Sequence, residues 1–228
     1  MNFEASTDLR ERANIRMSGL GGQGLVTAAT LLGMAAVSEG RFSTVVPFFG
    51  AEKRLAPTES YVRIASERIH ECGEVTYPDV IVVFHADVIV EDKCFTMPFY
   101  SGFRKGGWLV INSETPVVSD RDLARLEALE AHIVYVPAAQ IARDVAGTEL
   151  ASNMAILGAL AGATGVATLA GLEAALAQRF GAEKFIASGT TAVLDDVLRR
   201  KYSRTKELID KNMASIRTAF DMTKSPER

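Results

Sequence analysis

The amino-acid sequence predicts a Rossmann-like α/β fold with a mostly parallel sheet, helices on both faces and a helical C-terminal third. The first observation is a set of short apolar runs at residues 80–84, 108–111 and 132–136, typical of strands covered on both faces. The second is a helical pattern at residues 119–131, because strands that alternate with helices form βαβ units. The third is a glycine-rich segment that joins a predicted strand to a predicted helix near the start of the chain.

The other elements of the first two thirds follow from hydrophobic patterning. Residues 25–37 are apolar on nearly every face, which predicts a buried helix. Ser119 is placed to cap the helix that begins there, with Asp122 three residues further on. Three more strands are predicted, at residues 14–18, 42–47 and 60–65.

The last third of the chain is predicted to be helical. Residues 154–172 carry no charge and are long enough to cross a bilayer, but their Ala, Gly and Thr content and the break at Gly165 predict two short buried helices instead. Further helices are predicted at residues 169–180, 190–202 and 206–222. The last one carries an apolar stripe, which we expect to dock on the domain's own sheet or on another chain: Ile209, Met213, Ile216 and Phe220.

The composition excludes several classes of function. The 228 residues are 48% hydrophobic with a net charge of −3, so there is no basic excess to neutralise a nucleic-acid backbone. Cys72 and Cys94 are distant and form no C-x-x-C pair, which indicates reduced thiols of a cytoplasmic protein and no metal site. We expect a polar lead-in at residues 1–12, a single domain at 13–222 and a flexible tail at 223–228.

The glycine-rich segment is the most specific motif. Gly19, Gly21 and Gly24 have G-x-G-x-x-G spacing, which allows a tight turn and lets backbone N–H groups approach a phosphate at the start of the next helix. Thr27 would add a hydroxyl in the first helical turn. An NAD site requires an acidic residue at the end of the second strand, and none occurs there before Glu52, so ordinary NAD binding is disfavoured. Alternatively, the glycines only allow close packing of helix and strand, or hold the loop against a neighbouring subunit.

Several segments after this loop occur in a fixed order. They read FGAEKR at 49–54, SYVRI at 60–64, PDVIVVF at 78–84, KGG at 105–107, NMAILGAL at 153–160 and KNMA at 211–214. Together with the loop GLGGQG at 19–24, in which Gln23 is more distinctive than the glycines, they resemble the gamma subunits of 2-oxoacid:ferredoxin or acceptor oxidoreductases, including the pyruvate and indolepyruvate types. The resemblance extends from residue 14 to 220.

The resemblance implies a subunit that is inactive alone. Enzymes of this family decarboxylate a 2-oxoacid on thiamine diphosphate, pass two electrons through iron–sulfur clusters and commonly produce an acyl-CoA. It implies that thiamine diphosphate and its Mg lie between alpha and beta subunits, and that the clusters lie in a ferredoxin-like subunit. This chain would then carry no catalytic residue, metal or cofactor of its own. The sequence agrees, because it contains no Gly-Asp-Gly with a following Asn-Asn, and two cysteines cannot hold a four-cysteine cluster.

The candidate ligand-binding residues lie in two segments. Through them a gamma-type subunit would contact the phosphates of CoA: Gly19, Gly21, Gly22, Gln23, Gly24, Thr27 and Arg54. Arg54 would bind a phosphate or a partner's carboxylate through two hydrogen bonds, or else form an ordinary salt bridge or remain solvated.

The sequence departs from the family pattern near Arg54. Ala51 stands where the family has proline, and Leu55 and Ala56 stand where it has two glycines. These departures fit a less common branch with an aryl 2-oxoacid substrate, such as phenylglyoxylate or indolepyruvate, and they leave the choice of ferredoxin or NAD as acceptor open. The alternative function is that of a free-standing Rossmann-like regulatory protein that binds a nucleotide.

Two further polar residues lie where strands and helices begin or end. His85 ends an apolar strand, at the edge of the sheet where ligands of α/β proteins bind, although a histidine satisfied at the rim of the core fits the pattern as well. Asn153 opens an apolar helix, which predicts an N-cap.

Overall fold

A computed structural model describes residues 8–50, 55–181 and 192–224 of the chain. The strands are β1 (Arg12–Leu20), β2 (Phe42–Phe49), β3 (Pro57–Ala65), β4 (Val80–Val83), β5 (Trp108–Asn112) and β6 (His132–Val136). The helices are α1 (Leu25–Ser38), α2 (Asp87–Val90), α3 (Asp120–Ala128), α4 (Ala138–Ala146), α5 (Ser152–Thr164), α6 (Leu169–Phe180) and α7 (Ala192–Thr223).

The described strands form one sheet in the order β2-β3-β1-β4-β5-β6. The pairs β1–β4, β4–β5 and β5–β6 are parallel, and β3 runs antiparallel to both of its neighbours, β1 and β2. The predicted mostly parallel sheet is therefore confirmed. The hairpin of β2 and β3 was not predicted, and it moves the end of β2 two positions away from β1.

Helices cover both faces of the sheet, as the apolar strands predicted. On one face, Ile15, Val82 and Leu31 belong to a core that includes α1, α4, α5, α6 and α7. On the other face, Ile81 and Leu126 belong to a smaller core with α2, α3 and the segment that precedes β5. The split follows from the period of two in a strand, because Ile81 and Val82 point to opposite faces.

The helical C-terminal part is confirmed, with one correction. The predicted break at Gly165 is present, since this residue has φ 68° and follows the last residue of α5. Among the described helices, none combines the length and the apolarity that a bilayer span requires. The predicted helices at 190–202 and 206–222 are parts of one helix, α7, because no glycine or proline interrupts residues 192–223.

The apolar stripe of α7 packs on the domain itself. Ile209, Met213 and Ile216 are buried and Phe220 is partly buried in the main core. The contact is with α5, and the stripe does not lie directly on the sheet. Gly158 permits this contact, since a Cβ there would lie 2.1 Å from the Ile216 carbonyl oxygen.

Candidate functional site

The glycine loop lies at the carboxyl end of β1, at the edge of the sheet where β4 and β5 also end. Gly22 and Gly24 have φ of 98° and 72°, a region in which residues with a Cβ are strained. Gly19 has a different role, because a Cβ there would lie 2.9 Å from the Cβ of Phe84. Gly19 is therefore required for close packing against the end of β4, as the packing alternative predicted for the glycines.

The side chain of Gln23 closes the loop from inside. Its Oε1 atom accepts a hydrogen bond of 3.0 Å from the backbone N–H of Leu20. A second connection holds the loop to the segment after residues 51–54: the Gly21 N–H donates to the Ala56 carbonyl at 2.8 Å, and the Leu55 N–H donates to the Gly21 carbonyl at 3.3 Å. The distinctive glutamine thus shapes the backbone of the loop.

Asn153 is part of this site, and the N-cap prediction for it is wrong. Helix α5 begins at Ser152 with Ala151 in the cap position, so Asn153 already lies within the first turn. Its buried side chain donates from Nδ2 to the Gly24 carbonyl oxygen at 3.2 Å. A Cβ at Gly24 would lie 2.3 Å from the same Nδ2 atom, so this position excludes larger residues by space as well as by φ.

Helix α1 opens at the loop without a capping side chain. Gly24 occupies the N-cap position, and the first turn contains no acidic residue. The N–H groups of a first turn have no partner within the helix, and they carry the positive end of the helix dipole. Thr27, half-buried in this turn, places its side chain beside them.

Two cavities flank the loop, and Gly22, Gln23 and Gly24 line both of them. The larger has a volume of about 630 Å³ and is bounded by the ends of β4 and β5 and by the segment before α5. The smaller has a volume of about 490 Å³ and lies between the start of α1 and the end of β2, against Phe49, Gly50 and Thr58.

The two cavities differ in charge. Glu114 and Glu149 line the larger one, and both carboxylates lie near the Arg143 guanidinium, with N–O distances of 3.7 and 2.6 Å. His85 also lines it, and its Nδ1 atom accepts a hydrogen bond of 3.2 Å from the Asp87 N–H. Since Nδ1 is an acceptor there, the neutral ring carries its proton on Nε2. The described residues that line the smaller cavity are all uncharged.

Of the seven predicted site residues, six meet at this loop: Gly19, Gly21, Gly22, Gln23, Gly24 and Thr27. Arg54 lies outside the described residues. Sequence reasoning missed Asn153 as a partner of the loop, although the residue belongs to one of the family-like segments. Within the described part of the chain, no group of three or more His, Cys, Asp or Glu residues is placed to hold a metal ion.

The sheet and the loop together define an α/β protein of the Rossmann-like class, with a glycine loop and flanking cavities at the carboxyl edge of its parallel strands. The sequence model of the pyruvate ferredoxin/flavodoxin oxidoreductase family matches residues 14–194. The chain belongs to this family, among its gamma subunits.

Individual relatives agree with this assignment. The chain is 35% identical over 169 residues to the pyruvate/ketoisovalerate oxidoreductases common subunit gamma of Thermococcus litoralis, a match that covers 74% of this chain and 87% of the relative. It is 36% identical over 152 residues to the pyruvate synthase subunit PorC of Methanosarcina barkeri, covering 66% and 77%. The crystal structure of pyruvate oxidoreductase subunit PORC from Thermotoga maritima has the same fold, with a TM-score of 0.66, 23% identity and coverage of 92% and 96%.

Proposed function

We propose that this chain is the gamma subunit of a thiamine diphosphate- and iron–sulfur-dependent complex that oxidatively decarboxylates a 2-oxoacid to an acyl-CoA. The observation that carries the proposal is the match to the common gamma subunit of Thermococcus litoralis, which extends over 87% of that relative. The alternative, a free-standing nucleotide-binding regulator, is not favoured, because these relatives are named as subunits of oxidoreductases.

The role of this chain would be to hold CoA while its partners perform the chemistry. The smaller cavity suits a phosphate group, because its described lining is uncharged and the open N-terminus of α1 supplies N–H groups and a positive dipole end. The larger cavity is less suited to a phosphate, since Glu114 and Glu149 line it. Gly22 and Gly24 would let the ligand approach the backbone, and Thr27 would add a hydroxyl. Arg54 remains a candidate second contact to a phosphate.

The remaining parts of the proposal concern the partners. Alpha and beta subunits would hold thiamine diphosphate with Mg, and a ferredoxin-like subunit would hold the clusters in a cytoplasmic complex. The departures at Leu55 and Ala56 favour an aryl 2-oxoacid such as phenylglyoxylate or indolepyruvate. Two free cysteines, Cys72 and Cys94, do not provide the four thiolates of a cluster, so we expect the isolated chain to be inactive.

Purification of the tagged chain from its native cells tests the complex. Thiamine-binding and ferredoxin-like chains should co-purify, and the preparation should oxidise one of several 2-oxoacids offered with CoA and either ferredoxin or NAD. The separated chain should show no turnover with thiamine diphosphate, CoA and an artificial acceptor. Recovery without any thiamine-binding chain, or turnover by the separated chain, would contradict the proposal.

A charge placed in the first turn of α1 tests the role of the loop. Thr27→Glu would add a carboxylate beside the proposed phosphate, and we expect the KM for CoA to rise at least tenfold, about 1.4 kcal/mol, in an assembled complex. Thr27→Val removes only the hydroxyl and is the matched control, with a smaller rise. If the Thr27→Glu complex assembles and keeps the wild-type KM for CoA, the phosphate does not bind at this helix.

A further inference from the structure

An apolar patch surrounds the end of the β2–β3 hairpin, next to the glycine loop. It consists of large side chains that are between 40% and 66% exposed: Phe48, Phe49, Leu55, Phe95 and Met97. The rings of Phe48 and Phe95 pack edge to face, with centroids 4.8 Å apart. Phe49 lines the smaller cavity beside the loop, so the patch and the proposed CoA site are continuous.

The segment that carries Phe95 and Met97 is held in place by two buried charged residues of the sheet. Glu59, fully buried on β3, accepts hydrogen bonds from the backbone N–H groups of Phe95 at 3.2 Å and Thr96 at 3.1 Å. Arg16, buried on β1, donates to the carbonyl oxygens of Phe99 at 2.8 Å and Ser101 at 2.9 Å. Burial of such groups is costly unless they are well paired. Here they fix the backbone of a segment whose apolar side chains stay on the surface.

Leu55 shows that the patch is not arranged for the stability of this chain alone. The residue has φ 55°, a left-handed conformation that is unfavourable for a residue with a Cβ. Its side chain is 66% exposed, so burial within the chain compensates for little of this strain. Strained residues that persist at the surface are commonly part of a binding site.

The size and charge of the patch fit a protein partner. From the exposed fractions and typical side-chain areas, the patch exposes roughly 500 Å², at the upper end of the largest apolar patch of a typical monomer. A standard interface buries about 800 Å² per partner and is about 60% apolar, so the patch equals the apolar part of one such interface. The nearby Lys93 is paired with Glu91 at 2.5 Å and with Asp87 at 3.4 Å, which leaves the rim nearly neutral.

We infer that this patch docks an uncharged apolar surface of the thiamine diphosphate-binding subunit; the inference rests on the proposed function. The thiol of CoA must reach the acyl group on that subunit's cofactor, so the cavity beside the loop must open at the boundary with that subunit. A second copy of this chain fits less well, since Pro47 lacks an N–H, and a proline on the edge strand opposes extension of the sheet.

Replacement of two patch residues tests the inference in the co-expressed complex. Phe95→Ser with Met97→Ser should reduce recovery of the thiamine-binding subunit on the tagged chain at least tenfold. The thermal midpoint of the isolated chain should stay within about 2 °C of wild type, because the two side chains are already largely exposed. Val37→Ser with Met222→Ser is the matched control; these residues are 58% and 51% exposed, and Val37 lies about 20 Å from the loop at the other end of α1. The control should retain the subunit.

Leu55→Gly supplies a second variant whose two readouts move in opposite directions. It relieves the strained φ and removes the exposed side chain, so the isolated chain should not lose thermal stability while its affinity for the subunit falls severalfold.

Four results would overturn the inference. They are wild-type recovery of the subunit by both patch variants, equal loss in the control, a large fall of the thermal midpoint in the patch variants, or a dimer of the isolated chain that only the patch variants dissociate. If the wild-type chain itself recovers no thiamine-binding subunit, the proposed function fails as well. Loss confined to the inference leaves the wild-type complex intact.

Discussion

The contact between α5 and α7 can be tested by adding one methyl group at Gly158. In an exposed helix, alanine in place of glycine stabilises by about 0.8–1 kcal/mol. Here the new Cβ would lie 2.1 Å from the Ile216 carbonyl oxygen and 2.7 Å from its Cα. An ordinary contact distance is about 3.5 Å or more, so α7 must move by more than about 1 Å.

The expected cost is large because the obstructing atoms belong to the backbone. A side chain could rotate away, whereas the backbone of Ile216 can move only together with α7. That motion would loosen the burial of Ile209, Met213 and Ile216 against α5. Overpacking costs about 1–3 kcal/mol and occasionally more, and we expect about 3–4 kcal/mol here. After the gain in helix propensity, the net loss in free energy of unfolding should be about 2–3 kcal/mol, a fall in thermal midpoint of about 5–10 °C.

The assay is urea and thermal unfolding of the Gly158→Ala chain, followed by circular dichroism. Thr218→Ala is the control, because Thr218 is exposed on α7 and should change the free energy of unfolding by less than about 0.5 kcal/mol. If Gly158→Ala is instead as stable as wild type or more so, the two helices do not pack at this glycine, and the assignment of α7 to the domain's own core is refuted.

Other changes probe the same core and the loop. Ile216→Ser should lower the free energy of unfolding by about 3–5 kcal/mol, because the residue is fully buried, and a thermal midpoint unchanged from wild type would contradict its burial. Gly24→Val should damage the loop through both φ and the clash with Asn153, seen as failed assembly or a raised KM for CoA, and a normal complex would exclude tight packing there. Asn153→Ala should cost about 1 kcal/mol in urea unfolding through the lost bond to the Gly24 carbonyl, with a null result assigning the bond no weight. Burial raises the pKa of the Cys94 thiol to about 11, so only about one molecule in a thousand is thiolate at pH 8; the iodoacetamide reaction of Cys94 in a Cys72→Ser chain should rise about tenfold per pH unit up to pH 10, and a plateau below pH 9 would be inconsistent with this shift.

The elements that the sequence predicted are those with a strong local pattern. Strands β4, β5 and β6 were evident as continuous apolar runs, because a strand covered on both faces has no polar side. Helix α4 was missed, although Pro137 precedes it and Gly147, with φ 74°, ends it. Its nine residues offer too short a pattern to distinguish a helix from a loop. The division of α7 into two helices came from the charged residues in its middle, which interrupt the apolar pattern without breaking the backbone.

The glycine loop shows where prediction from sequence ended. Its position between β1 and α1 depends on neighbours in the chain, so the sequence by itself located the loop, the helix that follows it and the family to which both belong. The tertiary structure decided the rest. Asn153 reaches Gly24 across 129 residues, and Gly158 admits the backbone of Ile216. The buried Glu59 holds the segment of Phe95 on the surface. Local patterns encode backbone preference and burial, but the identity of a distant partner depends on how all the elements pack together.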